Sequence, residues 1–319
     1  MRPRVGRREP VVALVAFVAA SLVLLPDLIR LDHWTPFAQL IAFRPVLVVA
    51  VAIAGGGLVF VRRRSARWAA GACLAVCLIA AVLIAPRVIP DPTLEAATGT
   101  LTVASVNVKG GNASVEEVAA LVAGSGADLV ALPEAGEDYR IRLESALGSG
   151  YTGVSLQVSD SAVSAVSVLY RSDLGDVTAE PSVSGSFPTW ELTGGELGPM
   201  RFVAFHAYPP LPLATDAWRD DLEGLQQFCQ SADGAIIAGD FNATLDHSAL
   251  RTGTEGCADA ADMSGAGLQG TWPASAPGPL RAPIDHVFAT EGVQADSVAF
   301  TAIEGTDHLA VVADLAWLD

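Results

Sequence analysis

Residues 235–246 read AIIAGDFNATLD, a run of small and β-branched residues that stops at Gly-Asp-Phe-Asn. Such an uninterrupted apolar run describes a strand covered on both faces. An extended chain sends Asp240 and Asn242 to the same side and Phe241 to the other. The strand therefore delivers an acid and an amide to its own end. The same arrangement recurs along the chain: Asn107 ends LTVASVN, Glu134 ends DLVALPE, His206 ends RFVAFH, and Asp307 with His308 precedes LAVVADL. Strand ends converge on a rim, where side chains far apart in sequence build one site.

Further strand-like runs are AVSVLY and PIDHVFAT, and helical patterns lie between them. SVEEVAALVAGSG places Val115, Val118, Ala119 and Val122 on one face, and DAWRDDLEGLQQFCQ does the same with Trp218, Leu222, Leu225 and Phe228. Strands alternating with helices predict an α/β domain over residues 101–319. A connector with Pro and Gly, residues 91–100, precedes it.

The rim residues suit metal-assisted attack on a phosphate ester. Glu134 is an oxygen ligand of the kind Mg²⁺ prefers, and Asp307 is suited to complete or share that position. The cation would neutralise phosphate charge and stabilise the leaving oxygen. Asp240 would orient or deprotonate the attacking water, with Asn242 donating to the phosphate. His206 and His308 offer donors to the developing oxygens, and Asp285 can fix one imidazole through its other nitrogen. Blander readings stand beside these. A strand-end Asn commonly closes a local turn, which applies to Asn107 and less strongly to Asn242. Trp272 in GTWP reads as plain packing or as a substrate-facing wall, packing being slightly favoured. His286 points away from Asp285 in an extended segment and reads as structural.

Taken in order, SVN, LPE, HAYPP, GDFN, IDHVF and TDH resemble the motif series of the endonuclease/exonuclease/phosphatase superfamily, which includes deoxyribonucleases, abasic endonucleases, sphingomyelinases and inositol phosphatases. The resemblance runs over residues 100–319. It implies a four-layer α/β sandwich of two packed β-sheets flanked by helices, a catalytic Mg²⁺ or Mn²⁺, and phosphoester hydrolysis. By matching motif, Asn107 and Glu134 fall at the metal end, with Asp307 a further metal-side carboxylate. Asp240 and Asn242 would handle water and phosphate. His308 would be the terminal catalytic histidine, paired with Asp285, and His206 the second, phosphate-facing one. Pro133 departs from the pattern, since relatives often carry Gln there. Arg171 stands where relatives commonly place an arginine, so it is either a phosphate contact or a solvated surface cation.

The first 90 residues are of different material. Apolar blocks at 11–29, 40–61 and 68–89 each approach the ~20 residues that a membrane-spanning helix needs, which predicts three transmembrane helices. The basic leader MRPRVGRR also fits a cleaved signal, but two more blocks follow it. Arg2, Arg4, Arg7 and Arg8 precede the first block, and Arg62, Arg63, Arg64 and Arg67 separate the second from the third. The positive-inside bias then puts the N-terminus in the cytoplasm and the catalytic domain outside a cell membrane that the chain crosses several times.

Charge divides along the same line. Residues 1–90 hold 11 of the 19 basic residues and 3 of the 35 acidic ones, leaving 8 basic against 32 acidic beyond, a formal net charge of −24. That field disfavours tight, sequence-independent binding of nucleic acid and serves solubility. Cys73 and Cys77 fall in the third block, while Cys229 and Cys257 are the soluble part's pair, free to bridge in an oxidising compartment.

The expected partners are the lipid bilayer and a phosphoester substrate, whether lipid, small molecule or DNA; no protein partner is predicted. The Pro-rich loop 270–283, GTWPASAPGPLRAP, is the candidate for substrate selection. Two other readings are an extracellular DNase and a non-catalytic module on the same fold. Retention of every expected acid and both histidines argues against the second. A sensor with inward output is disfavoured because the cytoplasmic segments are too short.

Overall fold

The computed structural model describes residues 8–92, 97–183 and 185–317. The basic leader before residue 8 and the middle of the 91–100 connector lie outside the described residues.

The C-terminal part is built on two six-stranded sheets packed face to face. The first runs in the order β11-β12-β1-β2-β4-β3, with β1 Gly99–Ser105, β2 Leu129–Pro133, β3 Tyr151–Gln157, β4 Ala165–Arg171, β11 Val293–Ala302 and β12 Leu309–Trp317. The second runs β5-β6-β7-β8-β10-β9, with β5 Val177–Ser182, β6 Thr189–Gly194, β7 Arg201–His206, β8 Ala235–Asp240, β9 Cys257–Asp259 and β10 Asp285–Thr290. Each sheet is mixed. Its one parallel pair, β1 with β2 and β7 with β8, lies at the centre, and the other pairings are antiparallel.

Alternation along these strands sorts the core into layers. On β8, Ile236 and Ala238 face the other sheet, whereas Ala235 and Ile237 face the helices. On β1, Val103 faces the second sheet, whereas Ala104 meets helices α5 Val115–Ser125 and α6 Glu137–Leu147. The second sheet is covered by α7 Thr215–Glu223, α8 Gln226–Cys229 and α9 Ser248–Gly253, through Trp218, Leu222, Phe228 and Leu250. The result is the expected order of helix, sheet, sheet, helix. The start of α5 follows from its sequence: the Ser114 hydroxyl accepts the Glu117 N–H at 3.2 Å, a cap worth about 1 kcal/mol. Cys229 and Cys257 form a disulfide that ties the end of α8 to β9.

The N-terminal region differs from expectation in its helix lengths. One helix, residues 64–88, is long and apolar enough to cross a membrane. It consists of α4 Arg64–Ile84 and a 3-10 turn, Ala85–Val88. The other two, α1 Arg8–Leu24 and α3 Arg44–Val59, are apolar but only 17 and 16 residues long. The first block breaks because Pro26 opens a 3-10 turn after Leu25. The second is shorter than predicted because residues 40 and 41 belong to a separate short helix, α2 Phe37–Ile41. Arg44 and Pro45 do not interrupt a helix; they begin one, where a proline's missing N–H costs nothing. α1, α3 and α4 pack together through Ala20, Leu24, Val76 and Ala80, and their outer faces carry exposed Leu14, Ile53, Leu78 and Val82.

The segment between the first two blocks is docked on the two-sheet domain. Arg44, fully buried, pairs with Asp27 and with Asp246 at 2.9 Å. Arg87 shares Asp246 at 2.9 Å, and Arg251 reaches Asp27 at 2.8 Å. Asp32 accepts from the Ser248 hydroxyl at 2.8 Å, and His247 Nε2 lies 2.7 Å from the Ala38 carbonyl oxygen.

Two stability predictions follow from these links. Replacing Arg44 by Leu leaves Asp246 to Arg87 and Asp27 to the half-exposed Arg251, so the loss should stay below the about 3–5 kcal/mol of a fully uncompensated buried charge; the unfolding midpoint of the full chain should fall accordingly. Replacing Cys229 and Cys257 by Ser should cost about 2–4 kcal/mol, read as a lower denaturant midpoint for the two-sheet domain.

Candidate functional site

The alternation that builds the core also places the site. Continuing the inter-sheet face of β8 beyond Ile236 and Ala238 leads to Asp240, and continuing β7 beyond Phe202 and Ala204 leads to His206. These two residues are register partners across the parallel pair. Asp285 opens β10 opposite Asp240 in the antiparallel register. The site is thus the polar end of the inter-sheet core, not an addition on its surface.

Two backbone features bring the chains close enough. A Cβ on Gly239 would lie 1.8 Å from the Phe205 carbonyl oxygen, so only glycine lets β8 press against β7 immediately before Asp240. Glu134 follows Val130 and Leu132 in parity and in an extended chain would face the helix layer. Its φ of +60° breaks that alternation and turns it toward Asn107. Lys109 and Asn242 also have positive φ, so three of the five described non-glycine residues in that conformation lie at this rim. Local strain of this kind persists only where surrounding structure enforces it.

The polar contacts centre on Asp240, which is buried. The Asn107 side-chain amide donates to Asp240 Oδ2 at 2.9 Å and to Glu134 Oε1 at 3.1 Å. Asn107 Oδ1 accepts from the Lys109 N–H at 2.8 Å. Oriented in this way, Asn107 bridges two carboxylates, and the expected metal-ligating oxygen is already engaged. Asn242 donates its backbone N–H to Asp240 Oδ1 at 2.8 Å and its side-chain amide to the Ala207 carbonyl at 3.0 Å. Both imidazoles converge on the same acid: His206 Nε2 and His308 Nε2 each lie 3.9 Å from Asp240 Oδ2. Asp285 holds the other face of His308, with Nδ1 at 2.9 and 3.1 Å from its oxygens.

Burial and charge set the protonation states. Burial raises the Asp240 pKa, reinforced by Asp285 and opposed by His308 and the donors from Asn242 and Asn107. Glu134 is likewise raised by burial, against the Asn107 hydrogen bond. His206 is lowered to about 3 by burial and then by His308, so it is neutral at physiological pH. Its Nδ1 is buried without a hydrogen-bond partner, and its ring stacks on Phe187 with centroids 4.4 Å apart. For His308 burial acts against the charge, but Asp285 and Asp240 outweigh it and lift the pKa to about 10.

Among the described residues, ligand atoms of Glu134, His206 and Asp240 lie within 4.8 Å of one another, as do those of Asp240, Asp285 and His308. Asp307 belongs to neither group. Its carboxylate lies 3.5 Å from Lys109 Nζ and accepts from Trp272 Nε1 at 3.3 Å. Trp272 is therefore a partly exposed wall with a polar contact, not plain packing. Arg171 lies at the opposite end of β4 from this rim, paired with Asp128 at 2.9 Å, so it takes no part in this site. His286 is structural, as expected: it faces the helix layer, bonded to Asp259 and to the Ala243 carbonyl at 3.0 Å.

The sequence reading passed over Lys109, Phe187 and Thr271. Thr271 Oγ1 accepts the N–H groups of Ile284 and Asp285, each at 3.2 Å. Lys109 had a visible signal: it is the only lysine in a chain with 18 arginines.

The His308–Asp285 pair has a defined pH dependence. Because the folded-state value lies above the ordinary histidine range, the pair's stabilisation is fully present below about pH 6.5; it is lost as pH rises through about 10. Asp285→Asn removes the largest raising influence, so the His308 titration followed by NMR in the metal-free protein should move to lower pH.

Comparison with known proteins adds the following. The family model described as Endonuclease/Exonuclease/phosphatase family matches residues 104–308. No curated protein matches the chain. An endonuclease/exonuclease/phosphatase from Bacteroides vulgatus superposes with a TM-score of 0.54 at 16% identity, covering 69% of this chain and 100% of that one. Humanized D. rerio TDP2 gives 0.53 at 16%, covering 68% and 98%. A mannosyl-6-phosphatase from Bacteroides thetaiotaomicron gives 0.51 at 15%, covering 68% and 100%. At these identities the likeness is one of fold.

Proposed function

Since the chain belongs to the endonuclease/exonuclease/phosphatase family, whose members are hydrolases acting on phosphoesters, we propose that it is a membrane-tethered, extracytoplasmic, divalent-metal-dependent phosphoesterase. The observation that carries this reading is the convergence of Glu134, Asp240, Asp285, His206 and His308 at one end of the inter-sheet core.

The donor set fits a hard cation. Two carboxylates with raised pKa, Glu134 and Asp240, are held together by one asparagine amide, and a divalent ion would relieve the cost of their burial. When bound, Mg²⁺ or Mn²⁺ neutralises phosphate charge and stabilises the leaving oxygen. Glu134 is the principal ligand, with Asn107 orienting it. Asp240, whose pKa lies above the usual carboxylate range, is suited to take a proton from the attacking water. Charged His308, held by Asp285, is suited to donate to a phosphate oxygen, and neutral His206 offers a second donor beside Asp240. Asn242 holds the ends of β7 and β8 in register and keeps Asp240 oriented. Asp307, paired with Lys109, serves best as a switchable partner that releases the lysine to substrate phosphate.

Location rests on three supports. The first is the apolar helix 64–88 with the shorter α1 and α3 beside it. The second is the arginine cluster between α3 and α4. The third is the Cys229–Cys257 disulfide, which favours an oxidising compartment. Within this reading three helices span the membrane, the short pair aided by local thinning or snorkelling of flanking arginines. A nuclease role is the second option. The net charge of −24 on residues 91–319 disfavours it.

Hydrolysis is tested with the full chain in detergent against plasmid DNA, phospholipids, sugar phosphates and an aryl phosphodiester, with Mg²⁺, Mn²⁺ or EDTA. EDTA should abolish turnover, and Asp240→Asn and His308→Gln should each lower kcat by about 10²–10⁴. Activity that persists in EDTA or in either variant overturns the mechanism. Topology is tested with Ser149→Cys in a background where Cys73 and Cys77 are Ala. An impermeant maleimide should label it on intact cells, while a cysteine at Arg63 should label only after lysis.

A further inference from the structure

The loop 270–283 has two flanks. On one, Trp272 and Ala274 contact Asp307, the latter through an N–H to the Asp307 carbonyl at 2.7 Å, so the loop borders the catalytic rim. On the other, Pro279 and Leu280 face Phe43, Val46 and Val49 of the α3 segment across a cavity of about 360 Å³. A bridge between Trp272 and Ala282 joins the flanks.

The cavity is apolar along α3 and charged at its domain end. Val46 and Val49 are three residues apart and share a helix face. Val49 lies roughly 8 Å along the axis from Arg44, so the apolar wall runs from the buried charge network into the stretch read as membrane-embedded. Its size is at the lower end for ligand pockets, about 300–1,000 Å³, which suits part of an acyl chain and not a whole lipid.

The charged lining has a positive excess. Arg87 and Arg281 face a single acid, Asp246, and Arg44 already binds that acid. Arg281 is held by the carbonyls of Ala276 and Ala274, both at 2.8 Å, and no described carboxylate pairs with it. A cation left without an acid, in a region carrying 32 acidic residues against 8 basic, gives this mouth a sign opposite to its surroundings.

We propose that this cavity is a binding site for an anionic phospholipid of the outer leaflet, with an acyl chain between α3 and the loop and the headgroup phosphate at Arg281. The proposal rests on the membrane placement given above and is independent of which phosphoester is hydrolysed. Because the same loop contacts Asp307, an occupied cavity holds the catalytic rim's wall in one position.

The test uses the full chain in nanodiscs of phosphatidylglycerol or phosphatidylcholine, each doped with its photoactivatable-tail analogue, and mapping of labelled peptides by mass spectrometry. Labelling of residues 43–49 and 277–283 should be several-fold stronger with phosphatidylglycerol. Val46→Trp, which fills the cavity, should reduce it several-fold, with the melting midpoint checking the fold. Arg281→Gln, a loop change that leaves the apolar wall intact, should erase the headgroup preference. The outer face of α4 at Leu78 and Val82 should label equally in both lipids. Labelled α4 with a silent or headgroup-indifferent cavity overturns the lipid site alone. An unlabelled α4 overturns the membrane placement and the lipid site with it, leaving the hydrolysis assay to judge the phosphoesterase reading.

Discussion

Burying the Asp240 carboxylate between two sheets is the constraint around which the domain is organised. An isolated charge there is costly, and three groups offset that cost. Asn107 and Asn242 donate hydrogen bonds to it, and His308, kept charged by Asp285, supplies the nearest positive group. These partners come from β8, β10 and the segments that flank β1 and β12, so satisfying one acid fixes the relative positions of both sheets. Gly239 makes the arrangement sterically possible, because the strand before the acid approaches β7 too closely for any side chain. Assembly of the site and closure of the core are therefore one event.

Most of this was legible because the central strands are buried on both faces and read as unbroken apolar runs. Parity within AIIAGD already put Asp240 on the face shared by Ile236 and Ala238. The outer strands were harder to read. Tyr151–Gln157 and Val177–Ser182 are half exposed and interrupted by Gly153 or Pro181, so they lack the signal of a covered strand. The two readings of Arg171 could not be separated for a related reason: position after a strand says nothing of which end that strand presents, and β4 runs antiparallel to β2, which puts Arg171 with the surface cations. Glu134 reaches the site only through a left-handed backbone conformation that no residue pattern announces. Phe187 comes from the loop between β5 and β6, and its stacking on His206 is a purely tertiary fact.

The N-terminal region shows the limit of reading hydropathy alone. Block lengths set by composition merged a short helix with its longer neighbour, since Phe37–Ile41 and Arg44–Val59 are both apolar. The signal that separates them was the pair Arg44 and Pro45, which resembles an interruption only when a single helix is assumed. A charged residue beside an apolar block has a structural meaning when an acid elsewhere answers it, and here Asp246 lies 202 residues away in sequence.

That answering acid has a mechanical consequence for the N-terminal helices. Asp246 ends the stretch that began with the catalytic strand, six residues beyond Asp240, and Arg44 and Arg87 grip it from two different apolar helices. A flexible tether would leave the site's rim free to tumble relative to the helices, because a linker sets reach but not orientation. Here buried ion pairs join the rim-bearing strand segment to the ends of α3 and α4 directly. Buried pairs of this kind add little net stability, because desolvation offsets their attraction. Hydrophobic contact alone would allow the bundle to slide along the domain, whereas two arginines on one carboxylate permit a single register. The orientation of the candidate site relative to the helices is thus encoded in the same short stretch, AIIAGDFNATLD, that supplies its acid.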